Sequence, residues 1–214
     1  MARTIALILP LFLTCAVARA DDKPASMKGP VEIAPVPGVV FDLPMGWIAC
    51  DDATNKRLGE AADPRQLKSS VCAPQAGVPF KFRAFNPLLF RTVSMLIDQH
   101  EKQDISAADL ANLTPDIVKA MTPQVCTEVV KPMTGDGTVI DSCVVEIGTF
   151  AGHPCLHSII VSTPPDSDGM KFQIDLYEMP YAKGYLQVQF NRPISYLTTT
   201  TPETDAISAS FRID

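Results

Sequence analysis

The sequence is poor in charged side chains, in aromatic rings and in histidine. Of its 214 residues, 20% are charged and 7% are aromatic, with one tryptophan and three histidines, whereas 46% are hydrophobic. This balance excludes an intrinsically disordered chain, which has few apolar residues and many charges. The formal net charge of −6 provides no basic footprint of the kind that nucleic acids and anionic lipids require. The sequence therefore predicts a folded domain with no nucleic-acid partner.

Long apolar runs are confined to the start of the chain. Residues 1–20 combine Arg3, an apolar stretch at 5–13 and a small-x-small ending at 18–20, which is the pattern of a secretory signal peptide. No later run reaches the roughly 20 residues that a membrane span needs, so we expect no transmembrane segment in the exported chain. Loss of the two arginines in this segment changes the formal net charge from −6 to −8. We predict an exported protein, either periplasmic or secreted.

The sequence also lacks the motifs that most often carry chemistry. It has no C-x-x-C or H-E-x-x-H metal spacing and no G-x-S-x-G nucleophile turn. The one candidate pair is Cys155 and His157, whose spacing of two on a predicted strand directs both side chains to one face. With Cys143 or His153 as a third ligand, this pair indicates a soft zinc or copper site. We favour a packed cysteine beside a surface histidine, and predict no catalytic residue and no cofactor.

Two alternatives use the same pair of residues. A small-molecule or metal carrier would bind its cargo at the strand of Cys155 and His157, or in a cleft between sheet and helices. A thiol-dependent enzyme would use Cys155 as the nucleophile and His157 as the base. Residues on one strand rarely give the base-to-nucleophile geometry that such an enzyme needs, so this is the less favoured alternative.

The cysteine count is odd once the predicted signal peptide is removed. Six cysteines then become five, and an oxidising compartment allows at most two disulfides with one thiol left over. Spacing alone does not choose among the possible arrangements. We prefer a bond between Cys50 and Cys72, which would close a polar segment with little core of its own. We prefer a second bond between Cys126 and Cys143 across two neighbouring strands, which leaves Cys155 free.

The remaining chain is interpreted as a single domain. Prolines mark residues 21–38 as a lead-in, and the domain is predicted at 39–214 with a polar insertion at about 50–75. Turn-rich pieces separate short apolar or alternating runs, which is typical of an antiparallel meander. The predicted strands cover residues 39–43, 80–85, 92–98, 126–130, 139–147, 155–161, 171–179 and 185–190.

Capping signals predict the helices. Ser106 is a good N-cap, and Asp109 three residues later completes a capping-box pattern. Pro115 restarts the helix, since proline suits its first turn. The predicted core side of this helix consists of Ile117, Val118 and Met121. A shorter helix is predicted at 52–58, and another at 201–207 after a threonine run interpreted as a loop and cap.

The clearest alternation lies at residues 172–177 and 186–190. Apolar residues at even positions alternate with polar ones, which predicts one buried face and one solvent-exposed face. Tyr177 falls on the polar face, and Tyr181 and Tyr185 lie at the end of the hairpin between the two strands. We therefore predict that these three tyrosines form an exposed patch for recognising a protein partner.

Three short motifs resemble the PsbP-like superfamily. The first is F-D-L-P-M-G-W at 41–47, similar to an opening strand that ends in a proline and a glycine-tryptophan pair. The second is G-T-F-A-G-H-P at 148–154, similar to a tight hairpin in mid-sheet, and the third is S-F-R-I at 210–213 after the last helix, similar to a closing strand. The resemblance implies an α+β fold, namely an α/β/α sandwich around one antiparallel sheet.

The same resemblance bears on function. Members of this superfamily bind protein partners or have no known activity, and they share no set of catalytic residues. The resemblance therefore implies a non-catalytic protein-binding domain that acts as an assembly or accessory factor. The partner, the biological process and the oligomeric state are not specified by these motifs.

Overall fold

The computed structural model describes residues 29–59, 72, 80–87, 93–101, 106–134, 136–165 and 167–214. The predicted signal peptide and most of the predicted polar insertion lie outside these residues. Within them, no helix combines the length and the apolar character that a membrane span requires.

Ten strands of the described residues form two antiparallel sheets. In chain order they are β1 Val31–Val36, β2 Val39–Leu43, β3 Ile48–Ala49, β4 Phe82–Asn86, β5 Val93–His100, β6 Val139–Phe150, β7 His153–Thr163, β8 Phe172–Tyr181, β9 Gly184–Pro193 and β10 Arg212–Ile213. The larger sheet has the order β3-β4-β5-β9-β8-β7-β6, and the smaller has the order β1-β2-β10. Strand β6 is therefore an edge of the larger sheet.

Five α-helices lie between these strands in the described part of the chain. They are α1 Asp52–Leu58, α2 Ala107–Asn112, α3 Pro115–Val125, α4 Lys131–Thr134 and α5 Leu197–Ser210. A π-helical turn at Cys126–Val130 joins α3 to α4, and a 3-10 turn at Ile194–Tyr196 precedes α5. The mixture of helices with antiparallel sheets confirms the predicted α+β class.

The larger sheet is covered on both faces. The small sheet and α5 pack on one face, which we call the inner face, around a core that includes Phe41, Trp47 and Phe211. Helices α2 and α3 pack on the opposite face, which we call the helix face, where Val118 contacts the cluster that contains Val145. Helices thus lie on both sides of the central sheet. The small second sheet is an addition that the sequence analysis did not predict.

The capping predictions around α2 and α3 are confirmed. Ser106 accepts a hydrogen bond from the Asp109 backbone N–H (3.1 Å), and its own backbone N–H donates to the Asp109 carboxylate (2.9 Å). The Thr114 hydroxyl caps α3, and Pro115 occupies the first turn of that helix. Local side-chain hydrogen bonds of this kind need no tertiary partner, so the sequence predicts them well.

The predicted strand at 126–130 is wrong, because this segment is the π-helical turn that continues α3. Its two adjacent valines have a high strand propensity, but Val130 is fully buried against Ile160 and Leu176 on the helix face. Tertiary packing therefore overrides local propensity here. The bond between Cys126 and Cys143 joins this turn to β6 and does not link two neighbouring strands.

The sheet structure begins earlier than the predicted boundary at residue 39. Strand β1 lies inside the predicted lead-in and pairs with β2, with Val31 opposite Leu43 and Ile33 opposite Phe41. Pro35 is tolerated because β1 is an edge strand with an irregular register between Ile33 and Val36.

Helix α5 is twice as long as the predicted helix at 201–207, and it includes the threonine run interpreted as a loop. The Thr200 hydroxyl donates to the Tyr196 carbonyl (2.9 Å), and the Thr204 hydroxyl donates to the Thr200 carbonyl (3.2 Å). Because these hydroxyls bond to the preceding turn, threonines can be buried inside this helix without loss of hydrogen bonds.

Candidate functional site

The register of β8 against β9 corrects the prediction of one buried and one wet face. Tyr177 pairs with Val188, and Asp175 pairs with Phe190. The apolar residues of β9 therefore share the inner face with Asp175 and Tyr177, while the apolar residues of β8 face the helices. Both faces are covered, and Asp175 is only 4% exposed. The pairing brings ionisable side chains into the covered part of the inner face.

Asp175 is the centre of this group. Its carboxylate accepts hydrogen bonds from His157 Nε2 (3.2 Å) and Gln173 Nε2 (3.0 Å), and it forms an ion pair with Arg192 Nη2. Burial on its own would raise the pKa of Asp175, but the hydrogen bonds from His157 and the charge of Arg192 outweigh it and hold this pKa below its usual value. The Asp175 carboxylate is therefore the buried counterion of Arg192.

Arg192 connects this carboxylate to helix α5. Its Nη1 donates to the hydroxyls of Thr201 (2.9 Å) and Thr204 (3.2 Å). Its Nε is buried without a hydrogen-bond partner among the described residues. The arrangement fastens the first half of β8 and the end of β9 to α5, so its first role is structural.

His157 on β7 lies between two carboxylates, one on each of the neighbouring strands. Its Nδ1 is 3.1 Å from Glu146 Oε1 on β6, and its Nε2 is 3.2 Å from Asp175 Oδ1 on β8. The imidazole ring stacks on Tyr177 with 4.3 Å between ring centroids. A neutral imidazole donates only one hydrogen bond, so this geometry favours the doubly protonated ring. Burial lowers the pKa of His157, but the bonds and charges of Asp175 and Glu146 prevail and raise it above its usual value.

A raised pKa makes His157 a source of pH-dependent stability. We expect its contribution to be complete below the pKa of an unfolded histidine and to be lost as the pH rises through the folded-state pKa. The imidazole of His157 is faced by Glu146 from β6 and by Asp175 and Tyr177 from β8. Asp175 in turn pairs with Arg192 from β9. The measurement is the free energy of unfolding from urea titrations between pH 5 and pH 9, in about half-unit steps.

The matched control is His157→Asn, which lacks a titratable ring. The difference in stability between the natural chain and this variant should be constant below the pKa of an unfolded histidine and should shrink as the pH rises above it. A difference that stays constant over this range, or that grows with pH, would contradict the assigned double protonation.

Cys155 lies next to this cluster on the inner face and is fully buried. Burial first, and then the nearby carboxylates of Glu146 and Glu178, raise the pKa of the Cys155 thiol to about 12. A thiol of this kind is a poor nucleophile and a poor metal ligand, because both roles need the thiolate. The alternative of a thiol-dependent enzyme has no support from this environment.

The proposed metal constellation of Cys155 and His157 is not assembled. Both ring nitrogens of His157 are engaged by carboxylates, Cys143 is bonded to Cys126, and His153 Nε2 is 3.2 Å from the Ile213 carbonyl. Among the described residues, no group of three histidine, cysteine or acidic side chains is placed to hold a metal ion.

The thiol environment predicts slow chemistry at Cys155. In the native protein at pH 7.5, a maleimide reagent should modify this thiol far more slowly than an exposed cysteine, and unfolding in guanidinium chloride should release it. Mass spectrometry of the natural chain and of Cys155→Ser isolates the signal. We expect one additional label in the unfolded natural chain relative to the variant, and rapid native labelling that depends on Cys155 would contradict the burial.

The preferred disulfides are both confirmed. Cys50 bonds to Cys72 with a Cα–Cα distance of 5.4 Å, and Cys126 bonds to Cys143 with a Cα–Cα distance of 6.1 Å. Cys155 is a free thiol. The first bond joins Cys72 to the residue that follows β3, and the second joins the π-helical turn to β6.

The predicted tyrosine patch is wrong. Tyr181 and Tyr185 are only 5% and 3% exposed. The Tyr181 hydroxyl donates to the Pro37 carbonyl (3.2 Å), and the Tyr185 hydroxyl donates to Glu178 Oε1 (3.2 Å). Tyr177 is half-buried against Phe150 and the imidazole of His157. The end of this hairpin is covered by other parts of the chain, which spacing along the sequence does not reveal.

The exposed apolar surface lies elsewhere, along β6 and α3. Val144 is 53% exposed and Ile147 is 41% exposed on β6, and Ile117 on α3 is 43% exposed although the sequence predicts it in the core. Between the two elements is a groove of about 420 Å³. Its lining consists of Pro115, Val118, Lys119, Thr122, Pro123, Cys143, Val144, Val145, Glu146 and Ile147. Sequence reasoning identified the strand but gave no signal that it is an edge.

No protein-family model and no curated protein matches the chain. Solved structures do. Cyanobacterial PsbP (CyanoP) of Synechocystis is similar with a TM-score of 0.51 and 12% identity over 89% of this chain and 96% of that one. LpqN of Mycobacterium tuberculosis, described as involved in cell envelope biogenesis, is similar with a TM-score of 0.40 and 12% identity over 86% and 90% of the two chains. The match to CyanoP over most of both chains gives this chain a PsbP-like fold.

Proposed function

We propose that this protein is an exported, non-catalytic domain that binds a protein partner and acts as an assembly or accessory factor. The observation that carries the proposal is the apolar surface of Ile117, Val144 and Ile147 around the groove between α3 and β6. Clustered apolar side chains on a protein surface mark interaction sites, because exposing them to water is unfavourable.

The internal use of the reactive side chains supports the same proposal. His157 binds two carboxylates of its own chain, and the Cys155 thiol is buried. The two disulfides are compatible with an oxidising compartment outside the cytosol, in line with the predicted signal peptide.

The test is cross-linking in the native cell envelope with three versions of the tagged full chain. These are the natural chain, Ile147→Asp in the groove, and Val139→Asp as a matched control at the far end of the same strand, where the valine is 58% exposed. A specific partner should be captured by the natural chain and by Val139→Asp, and lost with Ile147→Asp. Equal capture by all three, or no capture by any, would overturn the proposal.

Export is tested in the same cells. Fractionation followed by N-terminal sequencing should find the protein outside the cytosol, with a mature chain that starts at Asp21. A full-length chain retained in the cytosol would contradict this part of the proposal.

A further inference from the structure

Strand β6 presents an open edge of unusual length. It pairs with β7 along Val139–Phe150, and its outer side pairs with no other strand in the described part of the chain. About half of the backbone N–H and C=O groups of an antiparallel edge strand point away from its only neighbour. This outer side is therefore a template for one more strand.

The usual protection against edge pairing is weak in the centre of β6. Its two acidic residues are Asp141 and Glu146, and Asp141 is engaged by Thr163 (2.7 Å) and Lys171 (3.0 Å) at an irregularity near one end. The central residues Val144, Val145 and Glu146 pair regularly with β7. Glu146 is the one charge among these central residues, and exposed apolar edges are normally protected further by being shortened, more heavily charged or covered.

The two faces of this edge differ in chemistry. Val145 packs with Val118 on the helix face and, with Ile147, lines the apolar groove against α3. Glu146 points to the inner face, where Oε1 meets His157 and the side chain remains 53% exposed. An added strand would thus meet the apolar side chains of Val145 and Ile147 on the helix face, and Glu146 next to the exposed Val144 on the inner face.

We propose that the edge of β6 binds an extended segment of another protein by strand addition, and that this segment has an apolar–basic–apolar sequence. A lysine or arginine lies opposite Glu146, and the flanking apolar side chains lie over Val145 and Ile147 beside the groove. Backbone hydrogen bonds provide affinity in this mode, and alternate side chains provide specificity. The inference rests on the proposed function and specifies the chemistry of the partner.

Charge complementarity favours a different protein over a second copy of this chain. Strand β6 contains no lysine, arginine or free amine, and the whole chain has a net charge of −6. A second β6 would bring only acidic, apolar or uncharged polar side chains to Glu146, and no cation. A basic residue directly opposite instead forms an opposite-charge cross-strand pair, with side chains about 5 Å apart at Cβ.

The experiment uses the full chain and two fluorescein-labelled peptides of eleven residues. Both alternate valine with threonine; one has lysine at its centre and the other has glutamate. Fluorescence anisotropy should show binding of the lysine peptide with a Kd about fivefold lower than that of the glutamate peptide. The preference should disappear in Glu146→Gln and reverse in Glu146→Lys. Val139→Asp, at the far end of the strand, should leave it unchanged.

The variants separate recognition from folding. Circular dichroism identifies any variant that fails to fold, and Glu146→Gln retains a hydrogen-bond acceptor for His157.

An unchanged preference in Glu146→Gln and Glu146→Lys, or no binding of either peptide to the natural chain, overturns strand addition. A dimer in sedimentation analysis that Ile147→Asp dissociates also overturns it, because a second copy then occupies the edge. A partner captured in the envelope without any peptide preference overturns strand addition alone, whereas peptide preference without an envelope partner overturns only the proposed function.

Discussion

Replacing Asp175 with alanine should lower the free energy of unfolding by about 3–5 kcal/mol. The change leaves the Arg192 guanidinium buried without its carboxylate, and it removes an acceptor from both His157 and Gln173. An uncompensated buried charge is among the most unfavourable outcomes of a single substitution, because water no longer solvates it. Urea unfolding of the natural chain and the variant, followed by far-UV circular dichroism, measures the difference.

A matched control is Asp205→Ala, since Asp205 is an exposed carboxylate on α5. We expect this change to alter stability by less than about 0.5 kcal/mol. The double variant Asp175→Ala with Arg192→Met should lose less than the sum of the two single losses, because it removes both charges together. A cost below about 1 kcal/mol for Asp175→Ala would show that the ion pair is solvated and would contradict the burial described above.

Replacing Trp47 with alanine should be comparably damaging, with a loss of about 3–5 kcal/mol. The indole is fully buried in the core between the small sheet and the inner face, and its Nε1 donates to Glu203 Oε1 (2.9 Å) on α5. The substitution therefore leaves a cavity and also removes a hydrogen bond to a partly buried carboxylate. Thermal and urea unfolding measure the loss.

Trp47→Phe separates packing from hydrogen bonding. It retains an aromatic ring but no N–H, and Asn86 Nδ2 continues to donate to Glu203 (3.0 Å). We expect a loss of about 1–2 kcal/mol, clearly smaller than that of Trp47→Ala. Equal losses for the two variants would mean that the bond to Glu203, and not the volume of the indole, dominates at this position.

The elements that sequence analysis predicts well depend on neighbours in the chain. The Ser106 capping box, the start of α3 at Pro115 and the tight hairpin at 148–154 all involve residues within a few positions of one another. Their hydrogen bonds and φ preferences are satisfied locally. They are therefore present in the sequence pattern before any tertiary contact forms.

The elements that it predicts poorly depend on distant partners. The segment Cys126–Val130 has residues that favour a strand, yet Val130 packs against Ile160 and Leu176 from a helical turn. The place of Tyr181 and Tyr185 at the end of a hairpin predicts that they are exposed. Their hydroxyls instead donate hydrogen bonds to Pro37 and Glu178. In each case the contact that decides the outcome comes from another part of the chain.

The candidate site shows the same division. Its residues are ordinary members of alternating strands, and the pairing of β7 with both β6 and β8 places His157 between Glu146 and Asp175. A shift of one residue in either register would move that partner to the opposite face of the sheet. The spacing of two between Cys155 and His157 correctly predicts that both lie on the same face of the sheet. It does not predict which carboxylates contact His157.

The sequence by itself determined the α+β class, most of the strands and the capped helices, because these follow from periodicity and local hydrogen bonding. It also limited the cysteines to a small set of pairings. Only the tertiary structure decided that β6 is an edge, that Asp175 and Arg192 are a buried ion pair, and that the tyrosines are covered. Strand order and burial are set by contacts between distant segments, so they have no signature in the spacing of neighbouring residues. The sequence contains few charged side chains, and the structure shows where several of them lie. They form a buried cluster on the inner face, while Glu146 remains half-exposed at the open edge.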